Sequence, residues 1–399
     1  MNTNEPLPLP ALTGPSWTLP GCPQQPLRVT VEDQPAWLIR SYREVTAVLG
    51  NHYHYPLGLS PQYADGTDYN GFRLPPELAE HLLALDGTQH ARVRGLVAPS
   101  LSAHRLGELI TALTRRTRRT LATLDPSQPV ELVRALVAPV TIDLIGDLVG
   151  LPDEPQQALH TWAATMLGPT AAEVPRARDS LDAMTRLLHE VLTSPCPPPG
   201  MLADLRTAHH DGQCTQNELT SLVFYLTYVF FEVAVDAAAA VLLRLLTSSQ
   251  ARAVAADAQR RTHAIDEILR YDSPQLLAAP RLALADFTLG DQHIRAGQTV
   301  LASLAESNRD PAVFTEPHRL DLGRRPNPHL SLGRGTHACP AASLTRQLLD
   351  ALIHCLFDEY PNLVLTEDDP PWRGNFRHHG PAAIEVDLRA TRSTGHPVP

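Results

Sequence analysis

The sequence predicts a mainly α protein with small β-sheets, on three observations. Thr215 and Glu218 stand at capping-box spacing ahead of a stretch reaching about Thr247 without Gly or Pro, apolar almost throughout residues 222–231 and 237–243. Residues 130–195 read as successive amphipathic helices. Residues 27–41 alternate around a turn, a hairpin signal, and turn residues at 288–291 and 295–297 mark a strand-rich region after Arg281.

Composition bounds the reading. The chain has 399 residues and is 43% hydrophobic, enough for a large core. The net charge of −10 favours no nucleic-acid partner. All 33 basic residues are arginine. The five cysteines show no paired spacing and no secretory signal opens the chain, so a cytoplasmic location is expected.

Residues 1–26 are proline-rich and read as an extended arm laid over the body. Residues 27–41 alternate around Glu32-Asp33-Gln34-Pro35, a hairpin signal, and residues 43–49 form a short helix. Residues 52–76 gather Tyr53, Tyr55, Tyr63, Tyr69 and Phe72 among Gly, Pro, Asn and Asp. Long irregular loops of this kind commonly line binding sites. His90 and Arg94 are four apart, so one helix face presents both to the same anion. Arg115, Arg116, Arg118 and Arg119 form either a solvated face or a docking patch for an acidic partner.

The central stretch is hydrophobic nearly all round, as a helix buried in a large domain is. Glu232 and Asp236 interrupt it, so it falls short of the roughly 18 apolar residues of a membrane span. A carboxylate in such a helix is expensive unless hydrated, protonated or paired. Glu267 and Arg270 follow at i, i+3 on one face.

The most informative turn is Leu332-Gly333-Arg334-Gly335-Thr336-His337-Ala338-Cys339-Pro340-Ala341. Its two glycines permit a tight turn that delivers Cys339 to the start of a helix over residues 341–357. Orphan N–H groups and the helix dipole stabilise a thiolate there, and a thiolate is a soft ligand suited to iron.

This segment resembles the cysteine-ligand loop of the cytochrome P-450 family, Phe-Gly-x-Gly-x-His-x-Cys-x-Gly, with Leu332 for the phenylalanine and Ala341 for the last glycine. The resemblance covers about residues 27–389 and implies the cytochrome P-450 fold, one large helical domain over residues 27–399 with haem b ligated by Cys339. It implies that His90, Arg94, Arg281 and His329 hold the haem propionates. Glu267, Arg270 and Arg319, with Arg324 as the other candidate, form a charge network behind the cysteine loop. The central helix resembles the family's Ala-Gly-x-Glu/Asp-Thr segment at Val229-Phe230-Phe231-Glu232-Val233, keeping the acid as Glu232. Val233 replaces the alcohol and Phe230 the glycine. Phe230, Phe231, Val233, Leu276, Leu277 and Phe376 are the implied substrate pocket, which Leu276 to Ala279 line beside the haem, and residues 372–380 resemble the hairpin that closes it.

The implied function is a haem-thiolate monooxygenase, hydroxylating or epoxidising in natural-product biosynthesis. Electrons come from NAD(P)H through a reductase and a ferredoxin, with neither nucleic acid nor membrane as partner. Glu232 is its expected catalytic acid. The lost alcohol and the aromatic residues motivate a second reading, oxidative coupling of aromatic rings on a small molecule or peptide. A non-catalytic haem sensor or carrier is the reading from another class.

Overall fold

In the computed structural model, which describes residues 7–9, 25–31, 34–51, 78, 80–151, 153–166, 174–193, 199–374 and 377–389, a central helix spans Gln216–Leu246. The Thr215 hydroxyl accepts from the Glu218 N–H at 3.0 Å, and the Glu218 carboxylate accepts from the Thr215 N–H at 2.9 Å. This reciprocal cap contributes about 1 kcal/mol. Glu218 also binds the Arg92 guanidinium, tying the Gly87–Val97 helix to the central helix's first turn.

Most of the central helix is buried, because its neighbours cover it on several sides. Ala138–Val149, Val174–Thr193, Ala258–Asp272 and Ala342–Glu359 all pack on it, and so does the strand His379–Pro381. The alanine run at 237–240 lets these neighbours approach closely, while Leu222, Val235, Leu242 and Leu245 fill the core.

Four small sheets surround the helices among the described residues. The largest has the order Leu7–Pro8, Leu27–Val31, Gln34–Ile39, Thr299–Ala302, Arg281–Leu282. Its middle is the expected hairpin, antiparallel with Leu27 opposite Leu38 and Val31 opposite Gln34, whose turn lies outside the described residues. Part of the proline-rich arm adds a parallel edge strand through Leu7 and Pro8. The loop at 52–76 also lies outside the described residues. No described helix is long and apolar enough to cross a membrane.

Two features of this scaffold position the site. Arg281 opens the last strand of the large sheet and is buried beside the Cys339 turn's cavity. The hairpin Trp372–Gly374 with His379–Pro381 lies directly on the central helix: a Cβ built on Gly380 would stand 2.7 Å from the Asp236 Cα.

Candidate active site

The turn before Cys339 is built by its two glycines. Gly333 and Gly335 take φ of 70° and 75°, a left-handed conformation that costs other residues roughly 1–2 kcal/mol. The Cys339 N–H returns to the Leu332 carbonyl at 2.8 Å. Gly335 also lies flat against the end of the Tyr42–Gly50 helix, where an added Cβ would meet the Leu49 carbonyl oxygen at 2.7 Å. The next helix begins at Ala342, and the Ala341 N–H interacts with the Cys339 sulfur.

The surroundings of Cys339 act on its ionisation in both directions. Burial pushes the thiol pKa up, and the Ala341 N–H with the Arg94 and Arg346 charges pulls it down by less. Ligation of a metal ion would require the thiol to give up its proton.

Cys339 faces a cavity with about 1090 Å³ of empty space, counting the part open to solvent. Leu332, Gly333 and His337 share its wall, and Val229, Phe230, Val233, Ala234 and Ala237 of the central helix form the other. Those five repeat at helical spacing, so one apolar face of the helix looks across at the thiol. Glu232 is rotated off that face and is not among the lining residues. Its carboxylate lies 3.7 Å from His378 Nε2.

Arg281, Arg334 and His337 make part of the cavity lining basic, and His90 and Arg94 stand near His337 without being among the lining residues. Arg281 is 1% exposed, and burial holds its pKa down to about 10 against the pull of Asp86. His90 is buried with its ring 4.0 Å from that of His337, which contacts Asp86 at 3.1 Å. Arg94 is close enough for its charge to depress the pKa of both His337 and Cys339.

This donor set fits a haem. A thiol suits the iron, apolar walls suit the ring, and a desolvated arginine with two histidines suits the carboxylate edge.

Several expected positions are corrected. His329 does not line the cavity: its Nε2 contacts Asp266 at 3.3 Å, and Arg346 holds that carboxylate at 2.7 Å, so His329 braces the loop. His337 takes the lining position expected of His329. Phe230 and Val233 line the cavity, but Phe231, one residue or about 100° round the helix, is 1% exposed and packs on Trp162 at 5.4 Å. Leu276 and Leu277 turn into the core with Val29, Leu38 and Leu301, because the Leu276 N–H bonds to the Arg377 carbonyl and Leu277 bridges to Ser303. Of the expected segment 276–279, Ala278 and Ala279 do line the cavity. Phe376 lies outside the described residues.

The charge network is real but closes differently. Arg270 binds Glu267 through Nε and Nη2 at 2.8 and 2.9 Å, both side chains fully buried. Arg324, not Arg319, is the third member, its Nε 3.0 and 3.1 Å from the two Glu267 oxygens. Arg319 points outward to Glu316 and offers only its backbone carbonyl to Arg270. In the basic cluster, Arg116 is committed to Asp147 at 2.7 Å and Arg118 to Asp358 at 3.0 Å, which weakens its reading as a docking patch.

The sequence reading also missed the burial of the hairpin's histidines. His378 binds Asp236, and His379 Nε2 contacts the Asp272 carbonyl at 2.7 Å. The available signals were Asp236 lying one helical turn after Glu232, and His337 lying two residues before Cys339.

Comparison with known proteins agrees with this architecture. A cytochrome P-450 family model matches residues 262–373. The chain is 30% identical to nocardicin C N-oxygenase of Nocardia uniformis subsp. tsuyamanensis, covering 91% of this chain and 92% of the relative. It is also 30% identical to cytochrome P-450 107B1 of Saccharopolyspora erythraea, covering 88% of each. The tirandamycin C-bound P-450 monooxygenase TamI superposes with a TM-score of 0.82 at 28% identity, covering 91% of this chain and 94% of that one. A thiol-bearing glycine turn facing one long buried helix, with relatives matching nearly end to end, makes the chain a member of the cytochrome P-450 family of haem-dependent oxidoreductases.

Proposed function

We propose that the chain is a haem-thiolate monooxygenase tailoring a natural product, with Cys339 as the iron ligand. Residues 27–399 then form one haem-binding domain in the cytoplasm, fed from NAD(P)H through a reductase and a ferredoxin. The observation that carries the reading is the Cys339 thiol facing the apolar central-helix wall across the cavity. A bound haem supplies the redox chemistry, its thiolate ligand favouring O–O cleavage.

The chain's own residues bind, orient and exclude water. Arg281, Arg94, His90 and His337 hold the carboxylate edge, the arginines through charge-assisted hydrogen bonds. Phe230, Val233 and Ala234 keep water from the helix-side wall and present an apolar surface to the substrate. Tyr225 and Gln275 are polar points at the cavity that orient it. Glu232, next in sequence to Val233 of the wall, is the central-helix acid assigned to handle protons. The relatives named for nocardicin C and tirandamycin C support a small natural-product substrate.

One observation favours a second reading, oxidative coupling of aromatic rings. The helix wall carries Phe230 and Val233 where family members carry a glycine and an alcohol, so the hydroxyl partner in proton delivery is replaced by carbon. Turnover under isotopically labelled dioxygen separates the two. One labelled oxygen per product is the expected result; product without label overturns monooxygenation and leaves coupling.

A further inference from the structure

A cluster of ionisable side chains joins the central helix to the C-terminal hairpin, away from the cavity wall. Asp236 is 1% exposed and meets the Arg373 guanidinium at 2.9 Å and His378 Nδ1 at 2.9 Å. With Nδ1–H donating to Asp236, the ring's other nitrogen faces Glu232 at 3.7 Å. Glu232 and Asp236 are one turn apart, so both look at the same imidazole from one helix face. The hairpin has no slack: Gly380 rests on the Asp236 backbone, and a Cβ on Gly374 would meet the His379 Cβ at 2.6 Å.

Two acids on opposite ring nitrogens fix the proton count. Asp236 accepts from Nδ1–H, so Nε2 and the Glu232 carboxylate, 3.7 Å apart, can close to a hydrogen bond only with one further proton between them, on the imidazole or on the carboxyl. From this geometry we propose that His378 is the proton partner of Glu232, supplying through the hairpin the second group that Val233 lacks.

In the step, His378 Nε2 and Glu232 close from 3.7 Å to hydrogen-bond distance, the Nε2–H bond breaks and a Glu232 O–H bond forms, while the ring keeps its Nδ1–H donated to Asp236. The neutral ring regains its proton from the buffered solvent through its exposed edge, the side chain being 10% exposed. His378 acts through Glu232 and is a positioning residue.

The groups facing the ring support this. From the central helix come Glu232 and Asp236, and from the hairpin Arg373, with Arg377 and His379 adjacent in sequence. Gln275, which bridges to His378 from the neighbouring segment, is uncharged. The two acids raise the His378 pKa beyond what burial and Arg373 take away. His379, by contrast, is held down to about 4 by burial and stays neutral.

The inference rests on Glu232 as the proton-handling acid, and the experiment separates the two claims. The holoenzyme, reduced and bound to carbon monoxide, is labelled with nitrogen-15 histidine and titrated by NMR, with His378 assigned from the His378→Gln spectrum. The ring is expected to titrate above the ordinary histidine range, and Glu232→Gln to move its titration to lower pH. A ring that titrates below that range, or a titration indifferent to Glu232→Gln, overturns the proposal without any activity measurement.

Coupled turnover, as product per NAD(P)H consumed, is then compared across pH. Proton transfer by a positioned side chain contributes roughly 10²–10⁴-fold, so His378→Gln is expected to lower coupled turnover about tenfold or more. It should also shift the pH profile and leave KM in place. Loss in proportion to haem content with an unmoved pH profile marks a structural role and overturns the proposal. If Glu232→Gln slows coupled turnover and His378→Gln does not, only the present inference fails. If Glu232→Gln itself changes nothing, the role given to Glu232 above fails first.

Discussion

Replacing Arg324 by alanine tests the network behind the cysteine turn. Glu267 is fully buried, and Arg324 Nε holds both its oxygens at 3.0 and 3.1 Å. Removing one partner of a buried pair costs about 3–5 kcal/mol, because the remaining charge is left uncompensated. Glu267 would keep Arg270 at 2.8 and 2.9 Å, the Asp321 N–H at 2.9 Å and Asn327 at 3.2 Å, so about 3 kcal/mol is expected. The Thr315 and Arg319 carbonyls that Arg324 also binds lie near the surface, where water replaces it. Arg319→Ala removes only an exposed pair with Glu316 and should cost within about 0.5 kcal/mol. Urea unfolding followed by helical circular dichroism reads both variants. Combining Arg324→Ala with Glu267→Gln should give a coupling energy of about 0.5–3 kcal/mol. Arg319→Ala costing as much as Arg324→Ala would refute the assignment.

Three further outcomes are expected. Gly335→Ala places a Cβ 2.7 Å from the Leu49 carbonyl at φ 75°, so it should purify with a clearly lower ratio of haem to protein absorbance; an unchanged ratio would show that the turn has slack. The neighbouring histidines should give pH effects of opposite sign in unfolding titrations. His379, held near 4, contributes stability above the unfolded value of about 6.5 that is lost as pH falls toward 4, about 3 kcal/mol at most. His378, with its pKa raised, contributes stability fully present below about 6.5 and lost as pH rises through its folded value. His379→Gln should therefore flatten the acid side and His378→Gln the neutral-to-alkaline side, and the reverse pattern would contradict the two environments. Val233→Thr restores a hydroxyl to the cavity wall and should raise coupled turnover severalfold; a fall would mean that the apolar wall serves the reaction.

The parts of the fold legible in the sequence carry local signals strong enough to stand alone. The central helix announces itself through Thr215 and Glu218 and the absence of Gly and Pro, and the cysteine turn through two glycines that only a tight bend requires. The errors fall where adjacent residues differ only in direction. Phe230 and Phe231 have the same chemistry, and about 100° of helix rotation decides which one sees the cavity. Leu276 and Leu277 are turned inward by backbone bonds to Arg377 and Ser303, partners distant in sequence. Arg319 and Arg324 sit in one irregular loop, where no periodicity says which guanidinium returns to Glu267. His329 and His337 both precede Cys339, and only the folded path shows that one meets Asp266 while the other meets Asp86 and His90. The Asp236–His378 contact joins residues 142 apart, beyond the reach of any local pattern.

The central claim, that Cys339 holds the iron of a haem in this cavity, is tested most directly by the carbon monoxide difference spectrum of the reduced protein beside that of Cys339→Ala. The native protein should give the long-wavelength band from which the family takes its name, and Cys339→Ala should lose it while keeping its helical content. The band persisting in Cys339→Ala, or missing from well-folded native protein loaded with haem, would contradict the assignment.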